Sequence, residues 1–116
     1  MEDCVFCKIA AGEIPATKVY EDERVVAFND LSPHMPVHVL IIPKRHYADI
    51  GDNVEDDMMG HLFNTVKKVA HITGIDESGY RVIVNTGDNA QQSVHHLHVH
   101  VLGGAPMNSG SPAIEG

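Results

Sequence analysis

The 116-residue chain carries nine histidines against three tyrosines, three phenylalanines and no tryptophan. Histidine serves as base, nucleophile, metal ligand or pH switch, so this excess marks where chemistry is to be sought. His96, His98 and His100 alternate with Leu97, Val99 and Val101. On a strand, where side chains repeat every second residue, the three imidazoles share one face and the three aliphatics the other. The aliphatic face has a core to pack. The imidazole face needs another reason, because three adjacent rings are costly to charge together or to bury unpaired.

Three readings compete for that face. It is a solvated surface, a metal site built on histidines two residues apart, or a centre for phosphoryl or nucleotidyl transfer with one imidazole as nucleophile. Threonine, serine and lysine serve as strand surface more often than histidine, which counts against the first. Gln92 and Ser93 stand just before the triad and can donate hydrogen bonds to phosphate oxygens, and the polar loop GDNAQQS suits the mouth of a ligand site. His38 lies in another apolar segment. Taken alone it is a satisfied core histidine; beside the triad it reads better as a partner in a relay. Cys4 and Cys7 form the only C-x-x-C pair. A disulfide over so short a loop adds little, whereas such a pair is a recurrent half of a zinc site, with its missing half among the histidines. No thioredoxin-like βαβ pattern surrounds it to support a redox role.

The elements that must position these groups are legible in outline. The spacing predicts a short helix over 5–11 stopped by Gly12, hairpin strands over 17–21 and 24–29, and an apolar strand over 36–43 closed by Pro43. A long helix is expected over 54–72, capped by Asn53 or Asp52, with Met58, Leu62, Val66 and Val69 facing inward and Gly74 as its stop. Residues 80–86 read as a central strand and 94–102 as the last strand. Strands with one long and one short helix indicate an α+β fold on an antiparallel sheet of about five strands. The expected organisation is a single domain over 1–104 and a Gly, Ser and Pro-rich tail over 105–116, loose or used at an interface.

Composition narrows the function classes. Apolar residues make up 43% and charged residues 21%, with a formal net charge of −8. An acidic chain is a poor candidate for nucleic acid, so any phosphate must be held locally. No apolar run reaches the roughly 18 residues of a membrane span, and the N-terminus lacks a signal-peptide pattern, so a cytoplasmic location is the default expectation.

The run from His96 to Leu102 has the form His-φ-His-φ-His-φ-φ, with φ apolar, and resembles the signature of the histidine triad (HIT) superfamily of nucleotide hydrolases and transferases. CVFCKIAAGEIPATKVYEDE, VVAFNDLSP, PVHVLIIPKRH and NTGDNAQQSVHHLHVHVLGG resemble further segments of that family in order, and HVLGG with the short length points to its purine nucleoside phosphoramidase branch. The resemblance implies a HIT-like fold, His98 as nucleophile, and His100 at the phosphate or leaving atom. It also implies Gln92 and Ser93 at the non-bridging oxygens, His38 orienting the triad, and His96 as its first member. Asp30 would accept hydrogen bonds from ribose, although by itself it is a turn former before Leu31. Asn85 would lie near the phosphate, and Val5, Phe6, Ile9, Ile14, Phe28 and Leu31 would line the base pocket. Superfamily members with this C-x-x-C complete a structural zinc site with histidines matching His46 and His96, and homodimers joined edge to edge are common. No organic cofactor is implied.

The resemblance thus points to a hydrolase that cleaves purine nucleoside 5′-phosphoramidates through a nucleotidyl-histidine, releasing AMP or GMP and an amine. The alternatives are a dinucleoside polyphosphate hydrolase, a nucleotide-binding module with little turnover, or a hydrolase whose triad holds catalytic metal. The sequence departs from the branch pattern at Gln91, where glycine is usual, at His95, where an aromatic is common, and in a tail without tryptophan.

Overall fold

The computed structural model describes residues 3–107. The tail expected over 105–116 falls outside them from residue 108 onward. The elements are α1 (Val5–Ala10), β1 (Lys18–Glu21), β2 (Val25–Asn29), β3 (Val37–Pro43), α2 (Asp56–Ile72), β4 (Tyr80–Ile83) and β5 (Val99–Gly103), with a short 3-10 turn at Asp88–Ala90 before β5. The five strands form one antiparallel sheet in the order β1-β2-β3-β5-β4. The expected α+β architecture, with one long and one short helix, is therefore present.

The sheet is covered on both faces, and strand periodicity sorts the core residues. Val25, Ala27, Val39, Ile41, Val99 and Val101 meet the inward stripe of α2, which includes Met58, Leu62, Val66 and Val69. Val26, Phe28, Leu40 and Ile42 point the other way and meet Phe6 and Ile9 of α1. Each fully buried aliphatic side chain contributes about 1.5–3 kcal/mol, so the larger α2 cluster dominates stability and α1 is the lightly held element. β3 and β5 pair with Leu40 opposite His100 and His38 opposite Leu102. His38 and His100 are thus diagonal neighbours on the α1 face, within reach of each other.

The structure corrects three boundaries. The last strand starts at Val99, not residue 94. Ahead of it the chain is held by the loop after β3, where the Leu97 amide donates to the Tyr47 carbonyl at 2.7 Å. The strand expected over 80–86 ends at Ile83 and is an edge strand rather than a central one, because its last partner is His100, one residue inside the shortened β5. α2 begins at Asp56, and its cap position is Glu55 without a side-chain cap bond. Asp52 is used instead by the amides of Ala48 and Asn53, and Glu55 binds Tyr47 and Arg45. Gly74 ends α2 as expected, in a left-handed conformation (φ 77°) that suits a residue without Cβ.

Candidate active site

A cavity of about 430 Å³ opens between α1, β2 and the segment leading into β5. That is the size range of small-ligand sites. Its lining combines apolar side chains, among them Val5, Phe6, Ile9, Ile14 and Phe28, with the polar groups of Asp30, Ser93, His98 and His100. Phe6 stands edge-on to both Phe28 and His98, with ring centroids 5.6 and 5.0 Å away. Exposed Leu31 forms part of the rim. The structure therefore brings together most of the residues singled out from sequence, although only His100 of the triad lies within a regular strand.

Fixed hydrogen bonds set the tautomers. His98 Nδ1 lies 2.7 Å from the His96 carbonyl, which can only accept, so Nδ1 carries the proton and Nε2 the lone pair. The backbone amide of His34 donates to Nδ1 of His38 at 3.1 Å, so the His38 proton sits on Nε2. That N–H donates to Nδ1 of His100 at 2.9 Å, which leaves the His100 proton on Nε2. Asp30 completes the row, with Oδ2 3.5 Å from His38 Nε2, while its Oδ1 accepts from the Ser32 amide. Asp30 thus forms the turn ahead of Leu31 and also lines the cavity. Burial lowers the pKa of His38, an effect that Asp30 opposes and the neighbouring His34 reinforces. A neutral histidine is favoured by that balance.

His96 is oriented differently. Its Nε2 lies 2.8 Å from the Pro43 carbonyl, so Nε2 is protonated and Nδ1 presents a lone pair. That Nδ1 is 3.2 Å from Cys4 Sγ and 3.4 Å from Cys7 Sγ, and Cys7 Sγ is 3.2 Å from Nδ1 of His46. The ligand atoms of a tetrahedral Cys₂His₂ zinc site stand roughly 3.3–3.8 Å apart. The four side chains thus have the composition, spacing and tautomer for zinc, and the Pro43 carbonyl is the outer partner that such a histidine usually has. Burial keeps His96 neutral, with its pKa lowered to about 4, and burial together with neighbouring Cys4 pushes Cys7 up to about 11. A bound cation would reverse the latter by stabilising the thiolate.

The same tautomer argument sets Asp30, His38 and His100 against holding a metal, although their ligand atoms also converge within 4.8 Å. His38 accepts at Nδ1 from a backbone amide, so its neutral ring has no lone pair at Nε2 to give. That cluster is built to hold a proton.

Two expected phosphate contacts are not among the residues lining the cavity: Gln92 and Asn85. The Gln92 amide is committed to the loop, accepting from Gly87 and donating to the carbonyls of Ala48 and Val94. His96 likewise sits among the cysteines rather than on the cavity wall. Gln91, at a position expected to favour glycine, adopts φ 59° and ψ 39° and is the one non-glycine residue with positive φ among the described residues. The structural contribution missed from sequence is the His34 amide, a backbone donor that no side-chain pattern announces.

The sequence pattern of the HIT domain matches residues 11–107. A 14 kDa zinc-binding protein of Brassica juncea is 46% identical over 110 residues, covering 91% of this chain and 96% of that protein. A histidine triad protein from Clostridium difficile superposes with a TM-score of 0.90 at 48% identity, covering 94% of this chain and 96% of its own. A HIT family hydrolase from Clostridium thermocellum gives 0.88 at 48% identity, covering 93% and 96%. With its fold, its triad and these likenesses on one chain, the protein belongs to the HIT domain family.

Proposed function

We propose that the protein is a hydrolase of purine nucleoside 5′-phosphoramidates that works through a nucleotidyl-His98 intermediate. The observation that carries this reading is the hydrogen bond from His98 Nδ1 to the His96 carbonyl, which puts the proton of the neutral imidazole on Nδ1 and its lone pair on Nε2, in a ring that lines the cavity. An uncharged, oriented imidazole is the nucleophile that attack on phosphorus requires.

The chemistry balances with the groups at hand. His98 Nε2 forms a bond to phosphorus as the P–N bond of the substrate breaks with its electron pair on nitrogen. That nitrogen takes a proton from solvent at the cavity mouth, the Nε2–H of His100 donates a hydrogen bond to it, and His38 keeps His100 Nδ1 hydrogen-bonded. Water then attacks phosphorus, the His98–phosphorus bond breaks with its electron pair returning to Nε2, and the proton lost by the water goes to solvent. Ser93 stabilises charge on a non-bridging oxygen, as a fixed donor does. Asp30 receives the ribose hydroxyls, and Phe6, Ile9, Phe28 and Leu31 hold the base. Gln92 acts on this pocket by shaping the loop around Ser93, and Asn85 is assigned to the phosphate by the family resemblance alone.

Zinc held by Cys4, Cys7, His46 and His96 would clip α1 to the loop after β3 and to the lead-in of β5. The zinc-binding protein of Brassica juncea supports that reading, as does the donor geometry. A homodimer joined through the exposed edge of β4 completes the proposal. Rapid-quench intact-mass analysis with an adenosine phosphoramidate tests the core claim. An AMP-sized adduct in the native protein and none in His98→Ala is the expected result. Turnover with no adduct, or an adduct that survives His98→Ala, overturns it.

A further inference from the structure

The site proposed for zinc and the proposed nucleophile share a residue. His96 offers its Nδ1 to Cys4 and Cys7, while its backbone carbonyl, two residues before His98, receives the His98 Nδ1 proton at 2.7 Å. His96 is fully buried and pinned on its far side by the Pro43 carbonyl at 2.8 Å, so its ring and its peptide move together. The lead-in from 94 to 98 has no strand pairing of its own. The cysteines also frame Phe6, whose ring stands edge-on to His96 at 6.0 Å and to His98 at 5.0 Å.

We propose that Cys4, Cys7 and His46 are positioning residues for the reaction: by clamping His96 they fix the carbonyl and the Phe6 wall that aim His98 into the cavity. This rests on the zinc and nucleotidyl-histidine readings above. The clamp touches no reacting atom. It acts by restricting a stretch of chain that lies outside the sheet ladder and whose rotation would turn the His98 ring away from phosphorus, and a small misplacement of a nucleophile is enough to slow attack strongly. The sheet and α2 form a separate core cluster that contains none of the four ligands, so the fold is expected to outlast the loss of the clamp.

The test compares native protein, Cys7→Ser, and native protein loaded with Zn²⁺, Co²⁺ or the larger Cd²⁺. Cobalt absorption reports a tetrahedral thiolate site, circular dichroism reports the fold, rapid-quench mass analysis reports the rate of adduct formation, and NMR follows the His98 Nδ1 proton in the absence of substrate. The expected result is tetrahedral cobalt bands in the native protein and a fold retained in Cys7→Ser. Adduct formation should slow at least tenfold in that variant, with AMP affinity changed far less. If Cys7→Ser does not fold, the Cd²⁺ form still decides, because longer metal–ligand bonds should shift the His98 Nδ1 proton and slow adduct formation in a folded protein. An adduct rate and proton shift indifferent to the metal, with cobalt bound, overturn the coupling alone. Absent cobalt bands overturn it through the zinc reading, and absent adduct in the native protein through the nucleophile reading.

Discussion

At the scale of residues, function is governed by which ring nitrogen carries a proton, and backbone groups decide that. The His34 amide, the His96 carbonyl and the Pro43 carbonyl each dictate one imidazole, and His38 passes the choice to His100. Replacing His98 by alanine should lower turnover roughly 10³-fold or more, read as loss of steady-state product release with the fold intact. The His38 pKa lies below its ordinary 6.5, chiefly through burial, with Asp30 raising it and the neighbouring His34 lowering it further. In the proposed reaction a neutral His38 is the working form, so the acid limb of kcat should fall below the ordinary histidine range. His34→Gln removes a lowering influence while keeping the backbone amide, so that limb should move to higher pH; a pH–rate profile that stays put or moves down refutes the assignment. Gln91 pays a conformational cost in the left-handed region, partly offset by its lower unfolded-state entropy, so Gln91→Gly should stabilise the protein by about 0.5–1 kcal/mol, measurable in urea unfolding.

Among elements, the informative one is β5 and its lead-in. Alternation along 97–101 is legible in the sequence because it survives in the extended chain: Leu97, Val99 and Val101 face α2, and the histidines face α1. The strand boundary was not legible. It depends on the Tyr47 carbonyl and on side chains distant in sequence, which capture residues 96–98 before the sheet can. The helix cap was misplaced for a similar reason: Asp52 is a good cap by type, but nearby loop amides claim it first. At the end of β5, a Cβ on Gly103 would stand 2.8 Å from Ile75 Cδ1 and 3.2 Å from its Cβ. Gly103→Ala should therefore destabilise by about 1–3 kcal/mol through overpacking, with a lower denaturation midpoint and unchanged AMP affinity.

For the whole molecule, β4 leaves one edge of the sheet open, and Tyr80 and Val82 on it are among the more exposed large apolar residues. An open edge carrying apolar side chains invites a second strand unless something blunts it. If two copies join there, Val82→Lys should shift sedimentation from dimer toward monomer while leaving the cavity, on the opposite face of the sheet from Val101, unaltered. A native protein that sediments as a monomer at all concentrations ends that proposal. No helix among the described residues is long and apolar enough to cross a membrane.

The sequence by itself determined the face to which each strand residue points, the number and kind of elements, and the identity of the chemical groups, because periodicity and side-chain type are local properties of the chain. Only the tertiary structure decided which histidine turns a lone pair toward the cysteines and which turns an N–H toward another imidazole. His96 and His38 are the same residue type in similar apolar surroundings. They differ because one meets a backbone carbonyl at Nε2 and the other a backbone amide at Nδ1. Those partners come from elsewhere in the fold or from a turn, and a peptide group looks alike at every position of a sequence until folding brings it against a particular nitrogen.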